Sequence, residues 1–320
     1  MAIPSTGSLS LDDIQTEFGG TNPISLSEYY AGGGLVQSGA TGDSGAIPTS
    51  GQISIGQFYG STARVPIVIN NTGTTLRADI YALASANPTY SAGITDVVYN
   101  NSGTLYSNVT GGAALRTGTF ASGDTVKIVN TGLIIGMGGA GGAGSPTTTS
   151  FPSHASSGAG GAGGRALALQ FPVTIDNTGG TIAGGGGGGA GAFYVQWTTP
   201  HPNGPKFPPI TRTGAGSGGG GGAGTNVGTG GAAGTPTLYS NAGSNGTPTT
   251  GGAGGTSTVP TPTRPYAIGG NGGNRGQAGS SKTAPNPSFT AVGGAAGQAI
   301  ISNGNTITWI DMGTINGSTT

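Results

Sequence analysis

Cysteine is absent from the 320 residues, so neither a disulfide framework nor a thiolate metal site can support the fold. Charge is scarce: ten basic and ten acidic residues balance to zero. Self-repulsion therefore cannot hold the chain expanded, and a fold that pairs its own amides gains over plain disorder. Acids are missing altogether between Asn177 and Ile310, a stretch that carries Lys206, Arg212, Arg264, Arg275 and Lys282. These bases are too widely spaced to make a nucleic-acid patch. No apolar run reaches the ~20 residues that span a bilayer, and the start, MAIPSTGSLSL, lacks the basic region and apolar core of a signal peptide. The expectation is a protein made in the cytoplasm, without membrane insertion.

The same scarcity argues against catalysis. Gly42-Asp43-Ser44-Gly45 has the spelling of a chymotrypsin-like nucleophile stretch, but the two histidines, His154 and His201, both come later in the chain, against that family's order. A glycosidase needs paired carboxylates, and after Asp124 only Asp176 and Asp311 remain, the former in a turn signal, Asp-Asn-Thr-Gly. Two histidines without acids beside them make a poor metal site. No glycine tract ends in the Gly-Lys-Ser/Thr of a phosphate loop. No catalytic residue, metal or cofactor is expected.

What the chain has is glycine, 71 residues of it, with 20 prolines. Glycine does not recur strictly at every third position, which excludes collagen. Three regions precede or follow the glycine. Residues 1–62 repeat internally: AIPSTGSLSL (2–11) returns as AIPTSGQISI (46–55). Ser10 with Asp13, Ser25 with Glu28 and Ser54 with Gln57 have capping-box spacing, each followed by an aromatic (Phe18; Tyr29 and Tyr30; Phe58 and Tyr59) and a glycine (Gly19, Gly32, Gly60). Three short helical turns are predicted, each burying an aromatic against the others or against a partner. Residues 63–130 read as a small antiparallel β domain, from short branched and aromatic runs separated by turn signals such as Asn71-Thr72-Gly73 and Asn101-Ser102-Gly103. Residues 301–320 read as a final strand or hairpin.

Between them, 131–300, eight glycine tracts (136–144, 158–164, 184–191, 214–224, 228–234, 251–255, 269–279 and 293–297) alternate with inserts of varied chemistry. Glycine makes a poor helix and a weak strand. The remaining ordered form is the polyproline II type, with three residues per turn and ~3.1 Å rise, whose amides must bond laterally. Rods without Cβ atoms can lie close enough to do so. The fold class expected is mostly β and irregular, with short helical turns at the N-terminus, the small antiparallel β domain and then a polyglycine II bundle or sandwich.

If each tract crosses the bundle once and neighbours alternate in direction, inserts 145–157, 192–213, 235–250 and 280–292 share one end, and 165–183, 225–227 and 256–268 the other. The first end collects Phe151, His154, Phe193, Tyr194, Trp197, His201, Phe207, Tyr239 and Phe289, and all of these but Phe193 are binding candidates. Aromatics on loops held by a stiff frame suit a binding surface. They could equally cover an apolar base of the bundle.

The alternation from Gly136 to Gly297, with IVNTGLIIGMGGAGGAG (128–144) and IDNTGGTIAGGGGGGAG (175–191), resembles the glycine-rich tail-fibre tip adhesins of T-even-like bacteriophages. ISLSEYYAGG (24–33) and SGQISIGQFYG (50–60) are similar to segments of phage virion proteins. The resemblance implies a virion surface appendage that binds a host outer-surface protein or polysaccharide through its loops. It also implies attachment to other virion proteins, assigned here to residues 1–62, and leaves a homo-oligomer open. The competing reading is a purely structural fibre, tail or capsid component without receptor binding.

Overall fold

The computed structural model describes all residues except 1–2, 147–156, 194, 200, 207, 236–239, 257–267 and 284–289; in strands Val195–Thr199 and Ile210–Gly214 only the backbone is described. The chain forms two compact units. The first comprises Met1–Pro66, Thr89–Asp96 and Ser122–Asp124.

Three capped turns build this first unit, as their spacing predicts. Helix Leu11–Phe18 and the 3-10 turns Leu26–Tyr29 and Ile55–Phe58 each start at a serine whose capping box is complete. Helices this short are marginal alone, and here they are stabilised by one another. Phe18 and Tyr29 both meet the ring of Phe58 edge-on, with centroids 5.9 and 6.3 Å apart, and all three rings are buried with Ile3, Ile14, Val36 and Ile47. The internal repeat is structural: Ile3 and Ile47 share this core, and the carbonyls of Gly7 and Gly51 each accept a tyrosine hydroxyl, from Tyr59 and Tyr30. Ser10→Ala removes one box. Loss of ~0.5–2 kcal/mol is expected, read as a lower urea midpoint.

The second unit comprises Ile67–Pro88, Val97–Ala121 and Thr125–Thr320. Its β part is a parallel solenoid of five rungs, in place of the antiparallel domain expected from sequence. Rung one is Val65–Asn71, counted in this unit from Ile67, with Thr74–Leu76 and Ala78–Asp79; rung two is Thr95–Asn101, counted from Val97, with Thr104–Tyr106 and Ala113–Arg116. Rung three is Thr125–Asn130, Leu133–Ile135 and Arg165–Ala168; rung four is Val173–Asp176, Thr181–Ala183 and Ile300–Ile301. Ile307–Asp311 and Thr314–Asn316 begin rung five, so the C-terminal stretch joins the sheets in parallel. First strands stack in one sheet, second strands in another and third strands in a third.

Parallel register puts like residues in rows. Leu105, Ile134 and Ile182 stack in one sheet and Leu115, Leu167 and Ile300 in another, all fully buried. At the corner after the first strand of each of rungs one to four stands an asparagine. Asn71 Nδ2 donates to Asn101 Oδ1 (2.7 Å), Asn101 to Asn130 (2.6 Å), Asn130 to Asn177 (2.6 Å), and Asn177 to the Met312 carbonyl (2.6 Å). The Asn-Thr/Ser-Gly signals are thus turns, as read, but each turn connects two sheets instead of two neighbouring strands. That is the physical reason the antiparallel expectation fails.

Glycine tracts leave this solenoid at its second-to-third-strand corners. Ten tracts are traced among the described residues: 136–145, 158–164, 184–192, 214–224, 228–234, 240–247, 251–255, 269–273, 277–280 and 292–297. They lie side by side, joined by lateral backbone bonds at intervals of three residues. Gly139, Gly142 and Ser145 donate to the carbonyls of Gly186, Gly189 and Ala192, while Gly216, Gly219 and Gly222 donate to those of Ser145, Gly142 and Gly139. The first set runs in one direction and the second in opposite directions, so successive tracts alternate.

The two tracts 184–192 and 214–224 each bond to six others, and the remaining eight form a closed ring around this pair. Both central tracts are buried, and a Cβ added at their glycines would overlap neighbouring backbone. The glycine pattern reports this depth. The central tracts hold the uninterrupted runs 184–189 and 218–222, whereas several ring tracts read Gly-Gly-X with the X outward, as at Ala140 and Ala143 or at Asn271 and, in the turn that follows, Asn274. The outward asparagines still serve the array: Asn271 and Asn274 Oδ1 accept from Gly254 and Gly251 N–H.

Candidate functional site

Direction and order of the tracts decide where the connections lie. Tract 136–145 continues strand Leu133–Ile135, 158–164 runs into Arg165–Ala168, 184–192 continues Thr181–Ala183, and 292–297 leads back to Ile300–Ile301. One end of the array is therefore rooted in the solenoid. At that end the other connections are short: 225–227, 248–250 and 274–276.

The connections at the opposite end are 146–157, 193–213, 235–239, 256–268 and 281–291. All the long connections thus emerge together. This corrects one expectation, since 256–268 belongs to this end. Two tracts were missed: 240–247 (SNAGSNGT) keeps glycine only at Gly243 and Gly246, three apart, and the stretch 269–279 contains a turn at 274–276 that divides it in two. The signal was there, because a ring tract with few neighbours needs glycine only at every third position.

Of the binding candidates, Phe151, His154, Tyr194, Phe207, Tyr239 and Phe289 lie outside the described residues. Trp197 stands on strand Val195–Thr199, which pairs antiparallel with Ile210–Gly214 and sets Trp197 opposite Arg212. His201 lies in the connection of this hairpin; its Nδ1 accepts from Asn203 N (3.2 Å) and its carbonyl from Gly204 N (3.0 Å), a polar turn that fixes the ring. A second, smaller hairpin, Lys282–Thr283 with Thr290–Ala291, rises from the same end. Phe193 is buried with Ala190 and Ala291. Among the described residues this one aromatic of the set covers an apolar base, as the alternative reading allowed.

The residues weighed for chemistry have structural duties. Asp43 and Ser44 form the two-residue loop of the hairpin Thr41–Gly42 with Gly45–Ala46. A Cβ at Gly42 would overlap the carbonyls of Gln57 and Tyr59, so the first glycine of that motif is there for close approach. Asp176 accepts from Thr178 Oγ1 (2.7 Å) and N (3.3 Å), and these bonds hold its carboxyl below the ordinary carboxylate range. That direction suits a turn residue and opposes a general acid. No group of three His, Cys, Asp or Glu that could hold a metal occurs among the described residues.

The family model for the phage tail fibre adhesin Gp38 matches residues 64–320, which span the solenoid and the whole glycine array. The chain belongs to the phage tail fibre adhesin Gp38 family. It is therefore an adhesin of the virion's tail fibre, a binding protein by family. The fold is also similar to the crystal structure of the gp37-gp38 adhesin tip complex of the bacteriophage S16 long tail fiber, with a TM-score of 0.51 and 23% identity over 99% of this chain and 100% of that one. No curated protein sequence matches. Residues 1–63 lie outside the family match, although the structural likeness extends over them.

Proposed function

We propose that this tail-fibre adhesin is a receptor-binding tip in which a polyglycine II lattice holds a cluster of loops against a protein or polysaccharide of the host surface. The observation that carries this is the gathering of every long connection at the end of the array opposite the solenoid. The three-residue interval of the lateral bonds supports polyglycine II geometry, because three residues per turn point backbone groups at three neighbours in rotation. Such a frame is stiff, and stiffness lowers the entropic cost of presenting loops.

Within the cluster, Phe151, His154, Tyr194, Trp197, His201, Phe207, Tyr239 and Phe289 are the contact candidates. Binding proceeds without a catalytic step. Association with another virion protein is supported by the S16 tail-fibre tip, where gp38 is in complex with gp37, and residues 1–62, which lie outside the family match, are the segment proposed to make it. The test is an exchange of residues 193–213 for the corresponding stretch of another family member. Phage carrying the exchanged chain is expected to adsorb to the donor's host, while the purified chain keeps its melting temperature. Unchanged adsorption after exchange of each long loop in turn would leave the array as a spacer and defeat the receptor-binding reading.

A further inference from the structure

Rungs one and two share a corner that the loop cluster does not involve. Thr74–Leu76 and Ala78–Asp79 are separated by a single residue, Arg77, which turns the chain from one sheet to the next. It does so at φ 49, in the left-handed region that costs a residue with a Cβ about 1–2 kcal/mol and that glycine enters freely. Strain of this kind gathers at ligand sites. The Arg77 guanidinium lies over Gly112, where a Cβ would stand 3.0 Å from Cζ and Nη2. Glycine at 112 gives the guanidinium its place.

A cavity of about 300 Å³ opens here, lined by Leu76, Arg77, Ala78, Asp79, Asn108 and Arg116. That is at the small end of the range for small-molecule sites. Arg116 Nη2 donates to Asp79 Oδ2 (2.9 Å), and Ala82 N donates to Asp79 Oδ1 (3.1 Å), so this carboxylate is fixed and its charge is matched. Arg77 makes no ion pair with a carboxylate among the described residues. The wall is completed by the exposed amide of Asn108 and by Leu76, 44% exposed.

We propose that this corner binds a sugar bearing a carboxylate, of the uronic or sialic type. The Arg77 fork receives the carboxylate in two parallel hydrogen bonds. Ring hydroxyls donate to the spare lone pairs of Asp79 and exchange bonds with Asn108, and the carbon face of the ring covers Leu76. An acidic peptide fits less well, because its side chains bring no hydroxyl for Asp79 and set one carboxylate against another.

The test is titration of the full chain at low salt with glucuronic acid and with N-acetylneuraminic acid, followed by saturation-transfer NMR, with glucose as the neutral control. At least one acid sugar is expected to bind, and glucose is not. Arg77→Gly removes the guanidinium and relieves the turn, so its melting temperature should be equal or higher while affinity falls ~tenfold or more. Arg77→Lys keeps the charge but loses the fork and should weaken binding as well. The proposal is overturned if neither acid sugar binds the wild-type chain, if Arg77→Gly binds as well as wild type, or if a polyglutamate peptide binds through Arg77 more tightly than either sugar.

Discussion

Gly219→Val is expected to unfold the second unit or bring it to the edge of unfolding. Gly219 lies in one of the two central tracts; its N–H donates to Gly142 O (2.8 Å) and its carbonyl accepts from Gly231 N (2.7 Å). A Cβ at this position would fall on the carbonyl oxygen of Gly189, with that of Ala190 2.8 Å away. These are backbone atoms, which cannot rotate aside as a side chain can. Relief requires separation of tracts that are bonded at every third residue, so one substitution breaks several hydrogen bonds at once. The expected cost exceeds ~4 kcal/mol, a large share of the ~5–15 kcal/mol that holds a typical domain together. Ala232→Val, on an outward position of a ring tract, serves as the control and should stay within ~0.5 kcal/mol. Urea denaturation of the pair decides the matter; equal midpoints would refute close packing of the array.

The asparagine ladder yields the second large effect. Asn130 is fully buried, accepts from Asn101 and donates to Asn177. Asn130→Ala leaves a donor on one side and an acceptor on the other without partners. At ~1–3 kcal/mol for each buried unsatisfied group, a loss of roughly 2–6 kcal/mol is expected. Asn130→Asp separates the polar account from the steric one. It keeps the acceptor for Asn101 but aims a carboxylate oxygen at Asn177 Oδ1, where only a donor is tolerated. Burial raises the pKa of such a carboxyl above its unfolded value of ~3.9. The folded state then holds its proton where the unfolded state has released it, so stability falls as pH rises from ~4 to the folded pKa. Melting temperatures of this variant should be nearer wild type at pH 4 than at pH 7, whereas Asn130→Ala should show no such recovery.

Local chemistry was legible in the sequence wherever it acts over a few residues. The serine boxes at Ser10, Ser25 and Ser54 announced three helical turns, and their aromatics do meet. The glycine tracts announced rods bonded side by side, whereas their alternation in direction, only supposed from sequence, comes from the lateral bonds. Strand pairing was not legible, because Asn-Thr-Gly makes a tight turn whether the chain then returns beside itself or steps onto another sheet. The asparagines at 71, 101, 130 and 177 do mark successive rungs, but the glycine excursions 136–164 and 184–299 interrupt the third and fourth and hide the period. Tract 240–247 escaped for a related reason. Its position on the ring leaves most of its side chains outward, so it resembles an ordinary polar loop.

The two halves of the second unit also differ in how water responds to their unfolding. The solenoid buries rows of isoleucine, leucine and valine, and exposing these raises the heat capacity. The glycine array buries mostly peptide groups, whose exposure lowers it. Heat-capacity change on melting the array is therefore small for its size, and its stability follows a nearly straight line with temperature instead of a dome. In a tail-fibre adhesin built this way the glycine tracts stay together in cold surroundings, where a core held by hydrophobic burial loosens.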